Sequence, residues 1–149
     1  MAFPIEIAVA ILILVVVVAY SYLTLKTVKF TTVKIGNATV KAEIADTPLK
    51  EMRGLMFRKS LGANEGMIFT FGSEDYYGFW MMNTSIPLDM IWLNSNKQVV
   101  YIQKDAQPCT ITSCPIYRPS APGQYVLEVN AGFADAHNIK AGTKAQFRV

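Results

Sequence analysis

Residues Gly78 to Leu93 read Gly-Phe-Trp-Met-Met-Asn-Thr-Ser-Ile-Pro-Leu-Asp-Met-Ile-Trp-Leu. Apolar density of this kind belongs to buried chain, and the polar side chains inside it, Asn83 and Asp89, must find partners. The polar and Pro-containing centre, Asn83 to Pro87, divides the stretch into two expected strands, Gly78–Asn83 and Asp89–Asn94. Trp80 and Trp92 are their expected core anchors. Short apolar runs bounded by Gly, Pro, Asn or Ser fit strands covered on both faces.

The same pattern extends both ways along the chain. Val33 to Ala45 alternates apolar and polar side chains, with Gly36-Asn37 as a tight turn, which predicts a hairpin. Thr47 and Pro48 form a helix start. Leu49, Met52 and Met56 then fall on one expected buried face, which Gly54 interrupts. Further strands are expected at Met67–Phe71, Gln98–Gln103, Tyr125–Val129 and Ala145–Val149, with a short helix at Gly132–Asn138. Asn94 to Lys97 is a turn, and Ala106 to Gly123 a Pro-rich loop. About eight short strands and two small helices predict a mainly β domain, a β-sandwich or a partly closed barrel.

Ahead of this domain, Ile7 to Leu25 holds 19 residues without a charge, enough to cross a hydrocarbon layer of roughly 30 Å as a helix. Phe3, Tyr20 and Tyr22 sit where interfacial aromatics are expected. Residues 1–26 therefore read as a transmembrane anchor in contact with lipid, and 27–149 as one soluble domain. A cleaved signal peptide fits less well, because no basic residue precedes the run. A pilin-like assembly helix is a further alternative. Lys26, Lys29 and Lys34 follow the run, which by the positive-inside tendency leaves the domain in the cytoplasm. Cys109 and Cys114 point the other way, since a close pair suits a disulfide and an oxidising compartment.

The chain carries 14 basic and 11 acidic residues, a net charge of +3. The charges are scattered, and no basic stripe with interleaved aromatics argues for nucleic acid. Cys109 and Cys114 lack the C-x-x-C spacing of a redox pair. With the lone His137 they fall short of a metal site, and no cofactor fingerprint occurs. A disulfide closing so short a loop contributes about 2 kcal/mol and would pin the Pro-rich segment.

Arg53, Asp89 and Glu128 each place a charge inside an apolar element. The leading reading is structural: an Arg fork satisfies one or both carboxylates, and Arg53→Ala would then cost about 3–5 kcal/mol. A second reading has these groups lining a pocket for a small polar or anionic ligand, with Trp80, Asn83 and Trp92 as walls. A catalytic acid–base pair is the third.

Arg53-Gly54-Leu55-Met56, Gly66-Met67-Ile68-Phe69, Phe79 to Thr84 with Ile86-Pro87-Leu88-Asp89, and Val126-Leu127-Glu128 with Ala131-Gly132 together resemble the family called domain of unknown function 192. So does Pro108-Cys109 with Cys114-Pro115. The resemblance covers about Val40 to Val149. It implies a small β domain, commonly behind a signal peptide or anchor and outside the cytoplasm, and it implies no activity. The family usually has Lys where this chain has Met82. The resulting expectation is a membrane-anchored, extracytoplasmic module that binds a ligand or partner or gives support. An enzyme using the Arg/Asp/Glu cluster and a filament subunit are the alternatives.

Overall fold

The computed structural model describes residues 5–26, 28–109 and 113–149, with side chains throughout these except at 21–26. Phe3 and the side chains of Tyr22 and Leu25, named above as interfacial or anchor residues, lie outside that set. A first helix, α1, runs Ile5–Lys26. Its side chains are described as far as Tyr20, a stretch reaching about 24 Å at 1.5 Å per residue. Among the described residues no helix is long and apolar enough to cross a membrane. The expected membrane-spanning helix from Ile7 to Leu25 is therefore not found among them.

The domain is built on one curled sheet. Strands β1 (Phe30–Ile35) and β2 (Ala38–Ala45) form the expected hairpin about Gly36. Helix α2 (Pro48–Arg53) carries the chain over to β3 (Glu65–Asp75), which pairs parallel to β2. Strands β4 (Leu88–Leu93) and β5 (Val99–Ala106) form a second hairpin. Strand β6 (Gly123–Asn130) inserts between β3 and β4. Helix α3 (Phe133–Ala136) leads to β7 (Ala145–Gln146), which adds to β1. The order across the sheet is β5-β4-β6-β3-β2-β1-β7. The two outer strands bend toward each other: Gln98 bridges Lys144, and Val99 donates its N–H to Thr143 O at 2.9 Å. The result is a half-barrel, closer to the partly closed barrel than to the sandwich.

Both faces are covered. One carries Val33, Val40, Ile68, Ile91, Leu127 and Phe133; the other carries Met67, Phe69, Met90, Trp92 and Val126, under Leu55, Met81 and Ile86. Every residue of β4 is buried. Among the described residues, neither core draws on one before Val33.

Three expectations fail. Gly78–Asn83 is not a strand: it makes isolated bridges, Phe79 to Tyr117 and Met82 to Cys109, that bind it to the Pro-rich loop. Trp80 is 43% exposed and is not a core anchor. Its neighbour Phe79 turns inward instead, edge-on to Phe69 and Trp92 with ring centres at 4.8 and 5.7 Å. Finally, α2 buries none of its residues, and Met52 is 64% exposed. The helix stops at Arg53, and the inward turn at Gly54 buries Leu55 rather than Leu49 or Met52. Cys109 and Cys114 lie at disulfide distance, Cα atoms 5.0 Å apart, in the loop that Phe79 and Met82 pair with.

Candidate functional site

Strand alternation decides what the charged residues can do. Asp89 lies opposite Val129, and Met90 opposite Glu128. Successive side chains point to opposite faces, so the two acids belong to different layers. No single Arg53 can serve both.

Asp89 is fully buried and is satisfied by backbone. Its Oδ1 accepts from the N–H of Asp105 at 2.9 Å, and its Oδ2 from the N–H of Ala134 at 2.9 Å. Asp105 lies at a bulge in β5, where its φ of 48° turns the amide toward the acid. Helix α3 has no local side-chain cap at Gly132. Asp89 supplies one from a distant strand, meeting a donor the helix start leaves unpaired.

Glu128 is the other kind of acid. It is 4% exposed, flanked in register by Met67 on β3 and Met90 on β4. No hydrogen bond or ion pair joins its carboxyl to a described residue. Burial among apolar groups pushes its pKa up to about 8, so the group is neutral at pH 7. Among described residues no buried side-chain oxygen is both fully enclosed and unpartnered. The carboxyl oxygens therefore keep a narrow contact with solvent. Oε2 sits beneath Gly54, 3.9 Å from where a Cβ there would lie.

Gly54 also lines a cleft of about 430 Å³ between β2, α2 and the Gly54–Arg58 turn. Thr47 caps α2, accepting from Lys50 N–H at 3.4 Å, and Pro48 opens it. Gly54 ends it at φ 46° and ψ −135°, a conformation open essentially to Gly, with Phe69 Cζ 3.3 Å from a Cβ placed there. The apolar walls are Val28, Ile44, Leu49, Met56, Phe57 and Met67. Phe57 holds φ 64°, unusual for a bulky residue, fixed by its N–H donating to Asn83 O at 2.8 Å.

The charges at the cleft are unequally engaged. Arg58 grips Glu43 with both nitrogens, at 2.6 and 2.7 Å. Lys50 reaches Asp46 at 2.7 Å, and Lys29 reaches the same acid at 2.9 Å; together they hold its carboxyl below the usual range. Arg53 is exposed, and its guanidinium has no hydrogen-bond or ion-pair partner among the described residues. A larger depression, about 530 Å³, lies along β1 and β7. Its polar groups close the sheet: Thr31 donates to Arg148 O at 2.7 Å and Lys97 to Phe147 O at 2.7 Å.

The expected polar cluster is thus dispersed. Arg53 lines the cleft, Glu128 lies behind it, Asp89 is on the opposite layer, and Trp80 and Asn83 are exposed. Sequence reasoning missed Phe57 and the Arg58–Glu43 pair, which depend on the turn after Gly54. Among the described residues no group of three or more His, Cys, Asp and Glu is placed to hold a metal.

The family model of DUF192, described as "Uncharacterized ACR", matches residues 31–147. The chain belongs to this family. UPF0127 proteins are among its relatives: one from Thermococcus kodakarensis is 29% identical over 107 residues, 68% of this chain and 61% of that protein. One from Pyrococcus furiosus is 27% identical over 113 residues, 72% of this chain and 87% of that one. Two solved structures share the fold. A Sinorhizobium meliloti protein, suggested to be a transcription regulator, superposes with a TM-score of 0.75 at 28% identity, covering 81% of this chain and 95% of that one. A Novosphingobium aromaticivorans protein of unknown function gives 0.71 at 36%, covering 80% and 84%.

The two acids have separable signatures. Asp89→Ala should destabilise the domain by about 2–5 kcal/mol, because two enclosed amides lose their acceptor, whereas Arg53→Ala should change stability by less than about 0.5 kcal/mol. Chemical denaturation of both variants checks this and replaces the 3–5 kcal/mol expected from a buried Arg53 pair. For Glu128, the unfolded carboxyl ionises near 4.5 while the folded one holds its proton to about 8. Its stability contribution is full below pH 4.5 and is lost as pH rises through 8. The slope reaches about 1.4 kcal/mol per pH unit, roughly 5 kcal/mol in all. Glu128→Gln should remove that decline; parallel urea-midpoint curves for parent and variant from pH 4 to 9 would show a carboxyl already stabilised in its charged form.

Proposed function

We propose that this protein is a membrane-tethered, extracytoplasmic binding module whose ligand enters the cleft beside α2. The observation that carries the reading is the cleft itself. Its volume of about 430 Å³ lies within the range of small-molecule sites, and its walls combine apolar side chains with a few polar groups. Two of the lining residues, Leu49 and Phe57, are exposed apolar side chains. The tether rests on sequence, on the uncharged run Ile7 to Leu25. Val28, one of the lining residues, follows two positions after the end of α1, so the cleft opens close to where the chain would leave a bilayer. Outward orientation is supported by the Cys109–Cys114 pair, which suits an oxidising compartment.

A neutral apolar dye such as Nile red should bind residues 28–149 at one saturable site. Leu49→Trp, which fills the cleft from an exposed position, should weaken that binding at least fivefold without moving the unfolding midpoint. Undiminished binding would place the dye elsewhere. Orientation is read separately: a tag after Val149 should be cut by external protease on intact cells stripped of any outer barrier, and a protected tag would reverse the assignment.

A further inference from the structure

The charges around the cleft point to the class of ligand. We infer that it takes a single-chain amphiphile with an anionic head, the tail against the apolar walls and the head on Arg53; this rests on the cleft being the binding site. Three cations line the space. Arg58 is held by Glu43 and Lys50 by Asp46, so neither is open to a ligand without breaking an existing pair. Arg53 is the remaining one, exposed at the end of α2, its guanidinium with no partner among the described residues.

A guanidinium presents a planar fork that fits a carboxylate or a phosphate with two parallel hydrogen bonds. The last turn of a helix also favours Arg for its own sake, but α2 is only six residues long. That contribution does not explain the apolar lining next to it. Competing negative charge is scarce. Glu43, the only acid lining the cleft among the described residues, is already paired, and Glu128 behind Gly54 stays neutral at pH 7.

The walls call for a tail rather than a compact anion. Six apolar side chains from five segments surround the space: Val28 ahead of β1, Ile44 on β2, Leu49 on α2, Met56 and Phe57 after Gly54, and Met67 on β3. Phe57 is 69% exposed and keeps its left-handed backbone through the bond to Asn83. That residue contributes little to the core and adds apolar surface at the cleft. Methionines at two of these positions can adapt to chains of different shape. A free fatty carboxylate and the head of an anionic phospholipid share this chemistry.

The test uses the full chain in nanodiscs of neutral phospholipid. Three photoactivatable probes of equal tail length are compared: a dodecanoate, a lysophosphatidylglycerol and dodecanol. Cross-links are mapped by mass spectrometry. Either anion should label the peptide from Ile44 to Met67 at least ten times more than the alcohol does. Arg53→Gln should lower that labelling to the alcohol's level, and Lys140→Gln, remote from the cleft, should not. Preference for the dodecanoate identifies a free acid, and preference for the lysophospholipid a membrane source. Equal labelling by all three probes, or anion labelling indifferent to Arg53→Gln, overturns the inference. Absence of labelling while the dye still binds at the cleft overturns the ligand class and leaves the site; loss of both removes the site as well.

Discussion

The neighbouring strands β4 and β6 are covered on both faces, and the rest of the architecture follows from that constraint. A polar side chain on either must be answered within its own layer. Asp89 meets this demand by recruiting two amides that no local element satisfies, one from the β5 bulge and one from the start of α3. A single carboxylate thereby joins a strand edge to a helix across 45 residues of sequence. Glu128 meets it differently, by giving up its charge. Two acids with similar apolar flanks in sequence thus become an acceptor of two amide bonds and a neutral acid held among methionines.

Much of the fold is legible in the sequence. The hairpin at Gly36, the Thr47-Pro48 helix start and the turn after Leu93 follow from local chemistry that tertiary packing leaves intact. Gly78 to Asn83 misleads because apolar density signals burial but not strand pairing; the partner of this segment is an irregular loop, and Phe79 rather than Trp80 takes the inner position. The face of α2 misleads for a related reason. Its apolar spacing fits a buried stripe, yet Leu49 borders a cleft and Met52 stays exposed.

The polar site is less legible. Alternation alone would place Asp89 and Glu128 on opposite faces once Met90 is known to lie opposite Glu128, but that register comes from long-range pairing. The freedom of Arg53 is legible even less. It depends on which acid each neighbouring cation has taken, and the Arg58–Glu43 and Lys50–Asp46 pairs are settled by the turn at Gly54 and by the cap at Thr47. Family membership constrains the scaffold, while the engagement of individual charges distinguishes what one member can hold.

The meeting of the outer strands at Gln98 and Lys144 has a consequence of its own. A sheet with open borders invites another chain to extend it, and long unpaired strands are a recurrent route to aggregation. Here one border is reduced to the two residues of β7. The other is bulged at Asp105 and carries Lys104, which is engaged by Asp135. Both borders are thereby blunted against strand addition from a neighbouring copy, one by its length and the other by its bulge.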